Sequence, residues 1–565
     1  MAPPKQAYQD DMPYAREPLK SLYVAQRLFT TLILGIWWAA YYGVMPRSRR
    51  PRPSWSIKCC ISVNFTRRVY RVTELAGVTW GVRDPDAPCS NRSLKHTRFE
   101  WVDPLPERLR SGVIVDSQVP FKRVGCFVWP KERPKIIPSC PDDEPCSPAA
   151  ETSSDDTLNV DIESAAEEPV IGIFMHGGGY CHMSAHENSS TSKIPARLMK
   201  DKAFTEIHAV EYRLLQHAPF PAAVQDAAAV YAHIVQRHQR HATKVTVTHD
   251  KAKPAEEDES GKAIKVLSDY LTVNATDYQE RSKNKRENDE IHARVAVETA
   301  NLGCKIVLIG DSAGGNLVLA LARWIRDEGL LPPPHALLLL SPSCDPSHAF
   351  PETPSSYLPR PHANTDYLVD TPEPRALLQR TFLGHNPLET MHSPYVSPAS
   401  MRVLTAFYGD AFAASVADLT IAQMDTHTRR FLRTMDSAPA TPVPATPVLG
   451  FSVPAGLVTG PPTFASSAAS TSDGRSPTSL QRPVIASPRG LSLFSEFPRA
   501  CVVLGDAERL EREVTKLVGA MERDGVGVHT VWVPDAPHDV LMMGWWDERV
   551  RDTVWGEIED WVLKL

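Results

Sequence analysis

Two short motifs in this 565-residue chain carry residue types that can do chemistry together: Gly310-Asp311-Ser312-Ala313-Gly314, and His176-Gly177-Gly178-Gly179, which begins 134 residues earlier. The first has the G-x-S-x-G spacing of a nucleophile elbow, a sharp strand-to-helix turn that presents a serine hydroxyl. Such a hydroxyl is a weak nucleophile at neutral pH and needs an adjacent base. The second is a glycine-rich loop of the kind whose backbone N–H groups stabilise the oxyanion formed when a serine attacks an ester. A lone G-x-S-x-G arises often from composition, whereas the two motifs in this order point to acyl chemistry through Ser312.

The remaining parts of such a site are sought downstream, in the chain order serine, acid, histidine. His538, in Pro534-Asp535-Ala536-Pro537-His538-Asp539, follows a last strand-like run and is the candidate base. The acid must accept the Nδ1–H of that histidine. Two carboxylates in Gly505-Asp506-Ala507-Glu508-Arg509-Leu510 compete for this role, Glu508 and the alternative Asp506, which is closer to the strand end. The expected oxyanion donors are the N–H groups of Gly177, Gly178 and Ala313. His176 is expected to orient its loop rather than to ionise, and Asp311 to take no part in the triad. His182 and His186 have i,i+4 spacing but lack the other ligands of a zinc pattern, so they read as core or surface residues; no metal and no cofactor is expected.

These residues need strands and helices to hold them. Pro169–Met175 reads as a buried parallel strand that delivers the chain into the glycine loop, and Cys304–Ile309 as the strand that leads into the elbow. Strand patterns recur at Ile207–Tyr212, Ala336–Leu340, Arg499–Leu504 and Val528–Val533, with helical patterns at Ala222–Arg237, Asn316–Asp327, Ala507–Asp524 and Trp545–Leu563. Val113–Asp116 and Phe121–Trp129 read as a further strand pair, a hairpin about Ser117-Gln118-Val119. Strands alternating with helices imply a mostly parallel sheet covered on both faces, an α/β fold. Between these elements lie an acidic linker (138–168), a charged insertion (240–297) and a second insertion (401–496), whose part from Ser437 to Pro488 is rich in Ala, Pro, Ser and Thr and reads as disordered. The α/β domain is thus expected over 169–400 and 497–565, after a polar tail (1–20), an apolar segment (21–46) and an N-terminal region (47–137).

The motifs resemble those of the hormone-sensitive-lipase-like branch of the α/β hydrolases, the fold-3 group. Tyr212-Arg213-Leu214 with Pro219-Phe220-Pro221-Ala222-Ala223 and Asp226 is similar to a further segment of that family, with Gln216 standing where the family has proline. The resemblance covers about residues 169–240, 298–400 and 497–565. It implies an α/β-hydrolase fold with a helical cap, and it favours Glu508 over Asp506 through the family's G-x-x-(D/E)-x-L pattern. It also implies hydrolysis of short acyl esters, acetyl among them, of lipophilic alcohols. Amide cleavage and acyl transfer to a second alcohol stay open. A non-catalytic receptor on this fold usually lacks the histidine that is present here as His538.

Composition bounds the partners. A net charge of −6 gives no basic face for nucleic acid. Leu28–Met45 is uncharged over eighteen residues, with Trp37, Trp38, Tyr41 and Tyr42 toward its end and Arg47, Arg49, Arg50 and Arg52 after it. As a helix it is about 27 Å long, enough for a thin bilayer, and it is expected to anchor the chain to the endoplasmic reticulum membrane, spanning it or lying in its surface. Cys59-Cys60 reads as a palmitoylation pair or as two buried thiols. The flanking charges favour a cytosolic hydrolase. The sequons at Asn64, Asn91, Asn188 and Asn274 favour the lumen, and the lumen is the side adopted.

Overall fold

The computed structural model describes residues 12–133, 168–250, 303–350, 359–369, 372–417 and 490–565, with side chains up to 239 in the second stretch. All of them fall in one compact unit. The linker 138–167, the insertion beyond 250, the Asn274 sequon and the Ala/Pro/Ser/Thr-rich segment lie outside the described residues.

In chain order the elements are α1 (Leu19–Val44), α2 (Ile57–Ala76), β1 (Arg98–Val102), β2 (Val124–Trp129), β3 (Val170–Met175), α3 (Lys193–Lys200), β4 (Glu206–Glu211), α4 (Ala222–Asp250), β5 (Lys305–Asp311), α5 (Ala313–Glu328), β6 (Ala336–Leu340), α6 (Pro372–Leu383), α7 (Met401–Tyr408), α8 (Asp410–Ala417), β7 (Arg499–Gly505), α9 (Glu511–Arg523), β8 (Val528–Val533) and α10 (Glu548–Val562). The strands form one eight-stranded sheet in the order β1-β2-β4-β3-β5-β6-β7-β8. β1, β2 and β4 pair antiparallel, and every pairing from β4 through β3 to β8 is parallel. This is the α/β-hydrolase fold.

The hairpin expected about Ser117 is absent. Gly112–Ile114 is a short 3-10 turn, and β2 pairs instead with β1. β1 reads Arg-Phe-Glu-Trp-Val; its charges disguise it, because Arg98 is paired inside with Glu206 of β4 and with Glu100.

A sheet covered on both faces has no outside, so its inner strands carry unbroken apolar runs. In β3, Ile171, Ile173 and Met175 enter one layer with Ala227 of α4, Leu317 of α5 and Val514 of α9. Phe174 enters the other with Leu198 of α3 and with Trp555 and Ile558 of α10. Met401–Ala417, expected from sequence to belong to an insertion, forms α7 and α8, and Val403, Leu404 and Ala413 join the first layer.

The Tyr-Arg-Leu segment after β4 is fixed by one buried ion pair. Arg213 Nη2 lies 2.8 Å from Asp226 Oδ1, and the Arg213 backbone N–H donates to Asp226 Oδ2 at 2.8 Å. Both side chains are buried, so removing one leaves the other charge uncompensated. Asp226→Ala is expected to lower stability by about 3–5 kcal/mol, and the double variant R213M/D226L by less. Chemical denaturation measures both; equal losses would show that the pair is not what holds this turn.

Candidate active site

β5 ends at Asp311 and α5 begins at Ala313, so the whole reversal falls on Ser312, at φ 51° and ψ −116°. That region is sparsely populated for a side-chain-bearing residue and costs on the order of 1–3 kcal/mol. The turn is held from both sides: Ser312 N–H donates to Leu340 O at 2.9 Å, and Ser343 N–H to Ser312 O at 3.0 Å. Gly314 has to be glycine because a Cβ there would fall on the carbonyl oxygen of Met175, at the end of β3. The elbow is therefore pressed against the strand that carries the glycine loop.

His538 lies beyond β8, its ring nine-tenths and more buried. Its Nε2 is 2.9 Å from Ser312 Oγ and its Nδ1 3.2 Å from Glu508 Oε2. Glu508 thus occupies the acid position. Asp506 does not: its Oδ1 accepts the N–H of Asp535 at 2.6 Å, which ties down the loop leading to His538. Burial pushes the Asp506 carboxyl up to about 6, against the pull of Arg52.

The glycine loop corrects one expectation. Gly177 N–H donates to Asp311 Oδ1 at 2.9 Å, so this donor is already engaged and points away from the cleft. Gly178, at φ 107°, and Gly179 line the cleft with Ser312 and Ala313. The donors available to an oxyanion are those of Gly178, Gly179 and Ala313. Asp311 has a structural role instead, holding the loop by its first glycine. His176 is buried and stacked on Tyr212, ring centroids 4.4 Å apart, with Nδ1 2.8 Å from Gly177 O. Burial pulls its pKa down to about 4, so at neutral pH it is an uncharged brace.

The cleft has an empty volume of about 1140 Å³ including its mouth. Tyr70 of α2, Met183, Leu215, Leu378 and Phe382 make much of its wall. His182 belongs to this wall, stacked on Trp80 with centroids 3.9 Å apart, and burial pulls its pKa down to about 3. No cluster of three metal-ligating side chains occurs among the described residues.

One residue escaped sequence reasoning. Asp539 Oδ2 lies 3.0 Å from His538 Nε2, on the same nitrogen that faces Ser312. Its place directly after the histidine was visible, but adjacency in the chain does not reveal that the carboxylate folds back on the ring. Burial disfavours a charged His538, yet Asp539 and Glu508 outweigh it and hold its pKa well above the usual range.

A hydroxyl, an imidazole and a carboxylate in series beneath free backbone N–H groups can run nucleophilic acyl chemistry. This fold and arrangement define a hydrolase of the α/β class. Residues 172–409 match the family described as "alpha/beta hydrolase fold". That stretch holds both glycine motifs, which resemble those of the fold-3 group of this family. No curated protein matches it. Among solved structures, a hormone-sensitive lipase from a metagenome library is 16% identical, with 71% of this chain and 80% of that chain covered and a TM-score of 0.36. A bacterial heroin esterase is 14% identical (82% and 83% covered, TM-score 0.38), and an esterase/lipase from an uncultured bacterium 13% identical (90% and 99% covered, TM-score 0.40).

The two carboxylates are told apart by isosteric amides. Glu508→Gln is expected to lower kcat by about 10³–10⁴-fold, because the amide favours the wrong histidine tautomer. Asp506→Asn is expected to act mainly on thermal stability. Steady-state kinetics on both variants check this, and the reverse ranking would move the acid to Asp506.

Proposed function

We propose that the chain hydrolyses short-acyl esters, acetyl esters among them, of lipophilic alcohols through an acyl-serine intermediate. The observation that carries this reading is the unbroken series Ser312 Oγ, His538, Glu508 at 2.9 and 3.2 Å on the floor of a largely apolar cleft. With Nδ1–H donated to Glu508, Nε2 accepts the Ser312 proton as Oγ bonds to the acyl carbon. The oxyanion then sits on the N–H groups of Gly178, Gly179 and Ala313, and Nε2–H passes its proton to the leaving alcohol. Water, deprotonated by the same nitrogen, releases the acid. The apolar wall favours a hydrocarbon alcohol portion over a sugar or a nucleotide.

Ser312→Ala is expected to abolish both turnover of p-nitrophenyl acetate and labelling by a fluorophosphonate probe while leaving the thermal melt intact. Labelling retained at another serine would refute the assignment, and an acyl-chain series on p-nitrophenyl esters tests the preference for short acyl groups.

We further propose that α1 binds the endoplasmic reticulum membrane, from the lumenal side. Its exposed face carries Leu22, Phe29, Leu32, Ile36 and Trp37. From Pro18 to Thr73 the chain has ten Lys and Arg and no Asp or Glu, which suits binding to lipid headgroups but favours the anionic cytosolic leaflet, so the lumenal side rests on the sequons alone. At the middle of α1, Arg68 of α2 donates to Thr31 Oγ1 at 2.7 Å and to Thr30 Oγ1 at 2.6 Å. A guanidinium held at mid-span is expensive inside hydrocarbon, so this packing favours a helix lying along the surface over one that crosses. Cys59 and Cys60 are both buried in this packing, which argues against lipidation there. Among the sequons, Asn64 Nδ2 is engaged by Tyr42 and Asn91 pairs with the Phe99 backbone, whereas Asn188 is exposed. Leu32→Glu with Ile36→Glu is expected to release the protein from microsomes, and Asn188→Gln to remove a glycosidase-sensitive mobility shift. Undiminished sedimentation would defeat the membrane reading; absence of any shift, with full protease access in sealed microsomes, would defeat the lumenal one.

A further inference from the structure

The imidazole of His538 has more neighbours than a serine–histidine–acid series requires. Ser312 Oγ lies 2.9 Å from Nε2 and Asp539 Oδ2 3.0 Å from the same atom, while Glu508 Oε2 lies 3.2 Å from Nδ1. A bare carboxylate oxygen and a bare ring nitrogen at 3.0 Å would set two lone pairs against each other, so the close pair must contain a proton. The contact is fixed by the backbone: Asp539 is left-handed at φ 50°, and its N–H donates to Ser341 Oγ at 3.3 Å. Its other oxygen, Oδ1, is buried with no hydrogen-bond partner among the described residues.

The groups facing this pair are acids and phenols. Glu508 comes from the turn after β7, Asp311 from the end of β5, Asp366 and Tyr367 from the segment before α6, and Tyr70 from α2. Of the neighbouring cations, Arg67 donates to Asp366 O, and Arg509 presents its backbone N–H to Asp366 Oδ2. Nothing in this ring favours a bare Asp539 beside a bare imidazole.

We propose that Asp539 is a positioning residue that keeps a proton on the His538–Asp539 pair in the resting site, so that Ser312 gains its base only after that proton has left. The inference rests on the esterase reading above. With Nε2–H directed at Asp539, the Ser312 hydroxyl has no acceptor on the ring. The proton departs to water in the cleft, which both residues line. The freed Nε2 lone pair then takes the Ser312 proton as Oγ bonds to the acyl carbon, and that second proton goes on to the leaving alcohol. Acylation therefore speeds up as pH rises through the titration of the pair. Because the carboxylates hold His538 above its ordinary range, removing one of them moves this rising limb to lower pH. Loss of an anion at hydrogen-bond distance corresponds to a displacement of about 1–3 pH units.

The test is the pH profile of two quantities, kcat/KM for p-nitrophenyl acetate and the second-order rate of inactivation by a fluorophosphonate, in the wild type, Asp539→Asn and Asp539→Ala. Both variants are expected to shift the rising limb to lower pH by about 1–3 units. A lower plateau with an unmoved limb would mean that Asp539 merely braces the loop, and would overturn the proposal. So would a wild-type limb centred at the ordinary histidine value of about 6.5, whether or not the variants fold. A wild type neither active nor labelled at any pH is a different result, the failure of the esterase reading itself.

Discussion

The site depends on how little room the turn at Ser312 leaves. β5 has to become α5 within one residue, and the turn sits so close to β3 that only glycine fits at position 314. The same turn supplies Asp311, whose carboxylate holds the first glycine of the loop leaving β3. The elbow and the glycine loop, far apart in the chain, are thus locked together by the Asp311 carboxylate and by the contact of Gly314 with Met175. Preorganisation of this kind allows N–H dipoles to stabilise charge without reorganising during the reaction.

The other half of the site is braced from far away in the chain. Arg52 Nη2 donates to Asp506 O at 3.0 Å and Trp55 Nε1 to Asp535 O at 2.8 Å. These contacts, with the Asp506–Asp535 hydrogen bond, clasp the loop that carries Glu508 to the loop that carries His538. The short stretch between α1 and α2 is therefore part of what keeps acid and base aligned.

Much of this was legible in the residues. The parallel strands from β3 to β8 announce themselves because burial on both faces leaves unbroken apolar runs; motif and chain order nominate the serine and the histidine, and only the family resemblance prefers Glu508 to Asp506. What escaped was of another kind. β1 was hidden because Arg98 and Glu100 find their partners only across the sheet and beside it. Gly177 and Gly178 are the same residue type in one motif, and only the position of Asp311 decides which N–H is already engaged. Asp539 was missed for the same reason. Composition and spacing show which groups can bond, but not which of several acceptors reaches a given atom first.

α2 has a double position. Its Tyr70, Thr73 and Glu74 form part of the cleft wall, while its Arg68 grips the middle of α1, whose other side is bare hydrocarbon. One helix thus separates the reacting atoms from the face proposed to meet lipid. For an ester that partitions into the bilayer, the quantity that sets the rate is then its mole fraction in the leaflet rather than its bulk molarity. Turnover would obey surface dilution: inert lipid added at constant ester would slow it, with enzyme and ester amounts unchanged.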